Sequence, residues 1–122
     1  MERGGKPRDI RERTFQFALE VVRLCRMLDE RPGVGRTLGR QLLRSGTSIG
    51  ANVEEAQAGQ SRADFVSKYA IALKEARETI YWLRLLHESG EHSNGQCETL
   101  QQEADEIARI LAAIIVNTKK RQ

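Results

Sequence analysis

Hydrophobic residues recur every three to four positions along most of the chain, the spacing that places side chains on one face of an α-helix. Short polar breaks that contain glycine interrupt this pattern at residues 31–33, 59–60 and 91–95. No stretch alternates apolar and polar residues as a half-buried strand would. The pattern therefore predicts four helices, over about residues 9–29, 34–58, 61–89 and 96–119.

Each predicted helix carries an apolar stripe that we expect to face a shared core. The stripes are Phe15, Ala18, Val22, Cys25 and Leu28; Leu38, Leu42, Ser45, Ile49, Val53 and Ala56; Phe65, Tyr69, Ala72, Ala76, Ile80, Leu83 and Leu86; and Leu100, Ala104, Ile107, Leu111 and Ile114. Short loops make consecutive helices antiparallel neighbours. The sequence thus predicts one all-α domain over residues 9–122, an antiparallel up-down-up-down four-helix bundle, after a flexible lead-in at residues 1–8.

Local signals agree with these boundaries. Asp9 and Ser61 are typical N-cap residues, each with an acidic residue three positions later. Gly46 and Gly50 lie inside the second helix, where each costs about 1 kcal/mol relative to alanine. We expect them to permit close approach of a neighbouring helix, in the bundle or between subunits; the alternative is a kink near Gly46.

Composition excludes several classes of protein. The chain has 122 residues, 39% of them hydrophobic and 30% charged, which is typical of one globular domain. The longest apolar run, residues 110–116, is too short to cross a bilayer, and no signal peptide is evident. We therefore expect a cytoplasmic protein without membrane association. Cys25 and Cys97 form no C-x-x-C motif, so a zinc or redox site has little support.

The carboxylates of the second and third helices raise the possibility of a di-iron bundle. Such a site also requires Glu-x-x-His on two helices, and neither His87 nor His92 has a glutamate three residues before it. No nucleophile has an identifiable base beside it. We therefore expect no metal, no cofactor and no enzymatic activity, with the glutamates solvated or paired to cations such as Lys74 and Arg77.

Basic charge is concentrated in the first half of the chain. Residues 1–62 contain twelve lysines and arginines against eight acidic residues, whereas residues 63–122 contain eight against nine. Arg36, Arg40 and Arg44 recur every fourth residue and should share one helix face, which could follow a phosphate backbone. The alternative is a solvated face, or pairing within the bundle or across an oligomer with the acids of the fourth helix, Glu98, Glu103, Asp105 and Glu106.

Two further groups of residues lie off the main stripes. Asn52 and Glu55 are expected to be partly buried and to fix helix register by hydrogen bonding; a polar ligand site is the alternative. Tyr81 and Trp82 flank the stripe of the third helix, and the first helix adds a second apolar row at Phe17, Val21 and Leu24. Helices with two apolar faces indicate an oligomer contact, or else a wide core stripe.

Two segments resemble a known family. Residues 41–55 and 61–86 are similar to the bacterial four-helix-bundle family of 23S rRNA intervening-sequence proteins. The matching positions are Gln41, Leu42, Arg44, Ser45, Ser48, Ile49, Asn52, Val53 and Glu55 in the first segment and Phe65, Ala72, Glu75 and Glu78 in the second. Ala56 departs from the glycine that the family often has there, which bears on how the second helix ends.

The resemblance implies a ring-shaped homopentamer with no established enzymatic activity. A more distant relative, the accessory variability determinant of diversity-generating retroelements, is a basic pentameric barrel that binds nucleic acid and a reverse transcriptase. We therefore expect a non-enzymatic oligomeric binding or scaffold protein that binds structured RNA or RNA–DNA through a basic face. The alternative is a protein–protein assembly module without a nucleic-acid role.

Overall fold

The computed structural model describes residues 9–121, and the predicted lead-in at residues 1–8 lies outside them, as does Gln122. The described chain forms four helices, α1 (Ile10–Leu28), α2 (Val34–Gln57), α3 (Arg62–Glu88) and α4 (Gln96–Lys120). All four predicted helices are present, with boundaries within two residues of those expected. The all-α four-helix bundle is thereby confirmed.

The starts of α1 and α3 are fixed by side-chain caps. An Asp9 carboxylate oxygen accepts a hydrogen bond from the Arg11 amide at 3.1 Å. The Ser61 hydroxyl accepts from the Asp64 amide at 3.0 Å. The helices α2 and α4 instead have glycine N-caps, Gly33 and Gly95, whose positive φ angles of 136° and 92° suit glycine.

Each helix packs against its neighbours in sequence, and α1 also contacts α4, although this seam is the least extensive of the four. In the described part of the chain α1 does not pack on α3, nor α2 on α4. The helices α2 and α4 therefore lie diagonally across the bundle. This geometry decides which charges can meet.

Glycines let α1 and α2 approach closely. A Cβ atom at Gly46 would lie 2.9 Å from Cγ1 of Val21, and one at Gly50 would lie 3.3 Å from Oγ1 of Thr14. The expected close approach is confirmed, with α1 as the neighbour. The helix α2 runs unbroken through both glycines, so the kink near Gly46 is absent.

The core confirms the stripes of α2, α3 and α4 in the main but not that of α1. Phe15, predicted to face the core, is 57% exposed, whereas Phe17, Val21 and Leu24 are buried. The two rows of α1 share Cys25 and Leu28 and both have helical spacing, so periodicity alone does not choose between them. Packing against the glycines of α2 selects the row that contains Val21.

The α2–α3 seam contains a buried polar pair. The hydroxyls of Ser45 and Thr79 share a hydrogen bond of 2.9 Å, and neither side chain is exposed. The Thr79 hydroxyl oxygen also lies 2.8 Å from the carbonyl of Glu75, an alternative acceptor for its single proton. This pair, rather than Asn52, joins the two helices in the core.

Candidate functional site

The predicted arginine row divides between two faces of the bundle. Each step of four residues advances about 40° beyond a full turn, so the row drifts around α2. Arg36 and Arg40 lie on the α1 side, whereas Arg44 lies on the α3 side. The prediction that all three share one face is therefore wrong.

Arg36 and Arg40 border a groove between α1 and α2, which we call the arginine groove. Its volume is about 360 Å³, and it is lined by Arg26, Asp29, Arg36 and Arg40 together with apolar residues that include Leu43. Asp29 is the one acidic residue among the residues that line the groove. Three guanidinium groups thus line the groove with one carboxylate, which leaves the groove positively charged.

Asp29 contacts Arg36 more closely than it contacts Arg40. Arg36 donates from Nη2 to the Asp29 carbonyl at 2.7 Å, and its Nε lies 3.2 Å from the Asp29 carboxylate. This contact caps the end of α1, where the helix dipole favours a cation. Arg40 lies 3.9 Å from the same carboxylate and is mostly exposed. Its guanidinium is consequently available to a ligand.

Arg44 instead reaches α3 and forms what we call the Arg44 cluster, with Glu75, Glu78 and Trp82. Its Nη1 lies 3.3 Å from Glu75, and its Nη2 pairs with Glu78. The Trp82 indole donates to the same Glu78 oxygen at 2.9 Å. Because one guanidinium faces two carboxylates, the cluster carries no excess positive charge and is a poor site for phosphate.

The other motif residues of α2 make fewer contacts to neighbouring helices than expected. The Asn52 amide donates to the Ser48 carbonyl of its own helix at 2.9 Å, and Asn52 is half-buried. The Ser48 hydroxyl donates to the Arg44 carbonyl at 2.6 Å. Glu55 is exposed and pairs with Lys68 at 2.9 Å, so its predicted burial is wrong. A solvated position at the end of α2 leaves nothing to bury it.

The aromatic pair on α3 separates into one half-buried and one exposed ring. Tyr81 is 59% exposed, and its ring meets Trp82 edge to face with centroids 5.1 Å apart. Trp82 packs against the core edge. The predicted role of both residues in an oligomer contact stays a prediction, and it now concerns chiefly the Tyr81 ring.

The acids of α4 do not pair with the arginine row, because α2 and α4 lie diagonally across the bundle. Glu103 and Glu106 bind Arg13 of α1 instead, with nitrogen–oxygen distances of 2.7 and 2.5 Å. Asp105 pairs with Arg109 of its own helix at 2.8 Å. Glu98 lies 3.5 Å from His87. The expected pairing of these acids with the arginine row inside the bundle is therefore wrong, and their pairing across an oligomer stays a prediction.

The remaining reactive groups offer little chemistry. Among residues 9–121 no group of three or more histidine, cysteine or acidic residues is placed to hold a metal. Burial raises the pKa of the Cys25 thiol to about 12 and that of Cys97 to about 11. Both thiols are therefore protonated at neutral pH and weakly nucleophilic. No described helix has the length and apolar content needed to span a membrane.

Sequence reasoning missed Arg26 and the Ser45–Thr79 pair. Arg26 lies in the last turn of α1, and only the packing of α1 on α2 brings it to Arg36 and Arg40. The position of Arg26 in the sequence does not indicate that it lies near Arg36 and Arg40. Ser45 stood in the predicted stripe, but nothing in the sequence identified Thr79 as its partner.

Comparisons with known proteins agree with the fold. A family model described as 23S rRNA-intervening sequence protein matches residues 6–113. A solved structure from Bacteroides thetaiotaomicron, of a protein with unknown function from the S23 ribosomal protein family, is 42% identical with a TM-score of 0.81. The match covers 88% of this chain and 98% of that one. No curated protein matches the chain.

Proposed function

Because the chain belongs to the 23S rRNA-intervening sequence protein family, we propose that it is a non-enzymatic, self-assembling protein whose arginine groove binds the phosphate backbone of structured RNA or RNA–DNA. The observation that carries this proposal is the charge of the groove, where Arg26, Arg36 and Arg40 are lining residues and Asp29 is the one acidic lining residue. Guanidinium groups suit phosphate because they donate in a planar fork. The Arg44 cluster, by contrast, offers phosphate two carboxylates.

Assembly strengthens the proposed binding. The chain carries a formal net charge of only +3, which is modest for a protein that binds a polyanion. A closed ring, proposed as a pentamer, repeats the groove once per subunit, and linked sites raise avidity without any new contact. We therefore expect a single groove to bind RNA only weakly.

Exposed apolar side chains support self-association. Phe15 is 57% exposed and Tyr81 is 59% exposed, and they lie on α1 and α3, respectively. Head-to-tail contacts in a ring join two different patches of the same chain. Light scattering tests this part alone: we expect a multiple of 13.8 kDa at low concentration, and a monomeric mass would contradict it.

The binding itself is tested by fluorescence anisotropy with a labelled structured RNA over a range of salt concentrations. The double variant Arg36→Gln/Arg40→Gln should weaken binding and lower the salt slope, because each phosphate contact contributes about 0.7–0.9 to that slope. Arg84→Gln is the control, since Arg84 is exposed on α3 and pairs with Glu88 at 2.8 Å. If the double variant and the control bind alike, the groove is not the RNA site.

A protein–protein assembly module without a nucleic-acid role is the second candidate. The exposed Tyr81 ring and Phe15 favour it, since they offer contact area rather than charge. It predicts a defined oligomer that binds RNA no better in low salt than in high salt. The two measurements above separate this candidate from the first.

A further inference from the structure

A second basic surface lies at the opposite end of the bundle from the arginine groove. There α3 begins beside the end of α4, and Nη1 of Arg62 donates to the carbonyl of Arg121 at 2.7 Å. Lys119 and Lys120 occupy the last turn of α4. We call these four residues the basic end. Two helices therefore contribute its cations.

The cations of the basic end are not neutralised. Several cations elsewhere meet carboxylates across helices, as Arg11 meets Glu54 at 3.3 Å and Lys68 meets Glu55 at 2.9 Å. Within residues 9–121 no carboxylate lies within ion-pair distance of the four basic-end side chains. The four cations of the basic end thus have no ion-pair partner in the described chain, and the nearest acidic residue in sequence, Asp64 in the first turn of α3, pairs with none of them.

A groove beside the basic end has the polar groups that phosphate oxygens require. Its volume is about 730 Å³, and it is lined by Ser61, Arg62, Ala63, Val66, Ser67 and Lys119. Two hydroxyls and two cations can donate hydrogen bonds there, and none of the lining residues is acidic. Serine, arginine and lysine side chains are among the groups that contact nucleic-acid phosphates in protein complexes.

We infer that the basic end is a second phosphate-contacting surface for RNA, separate from the arginine groove. The inference rests on the proposed function for the class of partner, but it uses different residues. Lysine is a flexible point charge that contacts backbone phosphates without reading sequence. In a closed cyclic ring the basic ends of all subunits lie on the same side, because rotation about one axis relates them.

The two surfaces are far enough apart to act separately. The helix α2 has 24 residues, which corresponds to about 36 Å, and the groove and the basic end lie toward its opposite ends. A hairpin shorter than this reaches only one surface of a subunit. A duplex of about 20 base pairs can reach both, so removing either surface weakens its binding.

The test compares three variants with the full chain in anisotropy titrations of that duplex against salt. They are Lys119→Gln/Lys120→Gln/Arg121→Gln at the basic end, Arg36→Gln/Arg40→Gln in the groove, and Arg23→Gln/Arg84→Gln/Arg109→Gln as a control. The control removes the same charge from exposed arginines, each paired with an acid on its own helix. Thermal melts establish that all the variants fold.

We expect the basic-end variant to bind at least about tenfold more weakly than the control at low salt, with a salt slope lower by about 2. If the basic-end variant matches the control while the groove variant binds weakly, this inference is wrong and the proposed function stands. If only the basic-end variant binds weakly, the groove assignment fails and this inference stands. If the full chain does not bind the duplex, both fail.

Chemical acetylation of lysines provides a second measurement, made on the protein without any substitution. Bound RNA should protect Lys119 and Lys120 from reagent, whereas Lys74, exposed on α3, should react at the same rate with and without RNA. Mass spectrometry reads all three positions in one sample. Equal protection of Lys74 and Lys119 would contradict a localised surface.

Discussion

Two arginines each reach across a helix seam to two glutamates spaced three residues apart. The two clusters differ in which partner is the more buried: in one it is the arginine, in the other a glutamate. Arg13 of α1, only 19% exposed, binds Glu103 through two nitrogens at 2.7 and 2.8 Å and Glu106 through one at 2.5 Å. Arg44 of α2 is 50% exposed, and the more buried member of its pair is the carboxylate of Glu75, at 12%.

The difference follows from the packing at each seam. The α1–α4 seam is the least extensive, and there a shielded guanidinium with two carboxylates closes the bundle. Hydrogen bonds to Glu103 are the main reason that the pKa of Arg13 is raised above its usual value. The α2–α3 seam is already closed by Ser45 and Thr79, so Arg44 need not hold it. We therefore treat the Arg13 contact as a structural clamp.

Loss of the clamp should cost the most stability. Arg13→Gln should lower the free energy of unfolding by about 2 kcal/mol, because it removes charge-assisted hydrogen bonds from a shielded site. Arg44→Gln should lower it by less, about 1 kcal/mol, because the Arg44 guanidinium is half exposed and water screens it, even though Glu75 is mostly buried. Urea denaturation measures both. Equal losses, or a larger loss for Arg44→Gln, would remove the distinction between the two arginines.

The buried thiols report whether loss of the clamp opens the bundle. Cys25 and Cys97 are both buried, so a thiol reagent reaches them only when helices separate. At neutral pH, Arg13→Gln should speed their labelling about tenfold or more, since about 1.4 kcal/mol corresponds to a factor of ten in the open population. Arg44→Gln should change the rate little. Equal acceleration in the two variants would show that both arginines hold the bundle closed.

Alkaline pH should weaken the bundle through its thiols rather than through the clamp. The raised pKa of Arg13 keeps its charge, whereas burial raises the pKa of Cys25 from 9.0 to about 12. Above pH 9.0 the unfolded thiol loses a proton that the folded one retains until about 12, so stability falls as pH rises through this window. Cys25→Ala should flatten the decline measured by urea denaturation. An unchanged decline in that variant would point to other groups.

Much of the fold followed from periodicity and from short local signals. The four helices, the caps at Asp9 and Ser61 and the close approach at Gly46 were all predictable, because each depends on neighbouring residues or on a residue type that admits few conformations. The row of α1 that faces the core was not, because two rows with helical spacing compete and only the surface of α2 distinguishes them.

The candidate site was less predictable, because it depends on how helices rotate against each other. A spacing of four placed Arg36, Arg40 and Arg44 in one row, but drift around α2 carries Arg44 to the glutamates of α3. Arg26 joins the groove only through tertiary packing. Charges on different helices pair according to the order of helices around the bundle, which composition does not encode.

The salt dependence of RNA binding by two single variants tests the central claim most directly. We expect Arg40→Gln to lower the salt slope by about 0.7–0.9 for each bound subunit, which is the contribution of one phosphate contact. Arg44→Gln should leave the slope unchanged, because Glu75 and Glu78 already neutralise that guanidinium. Both variants remove one arginine from the same helix, so net charge does not distinguish them. A lower slope in Arg44→Gln, with none in Arg40→Gln, would contradict the account.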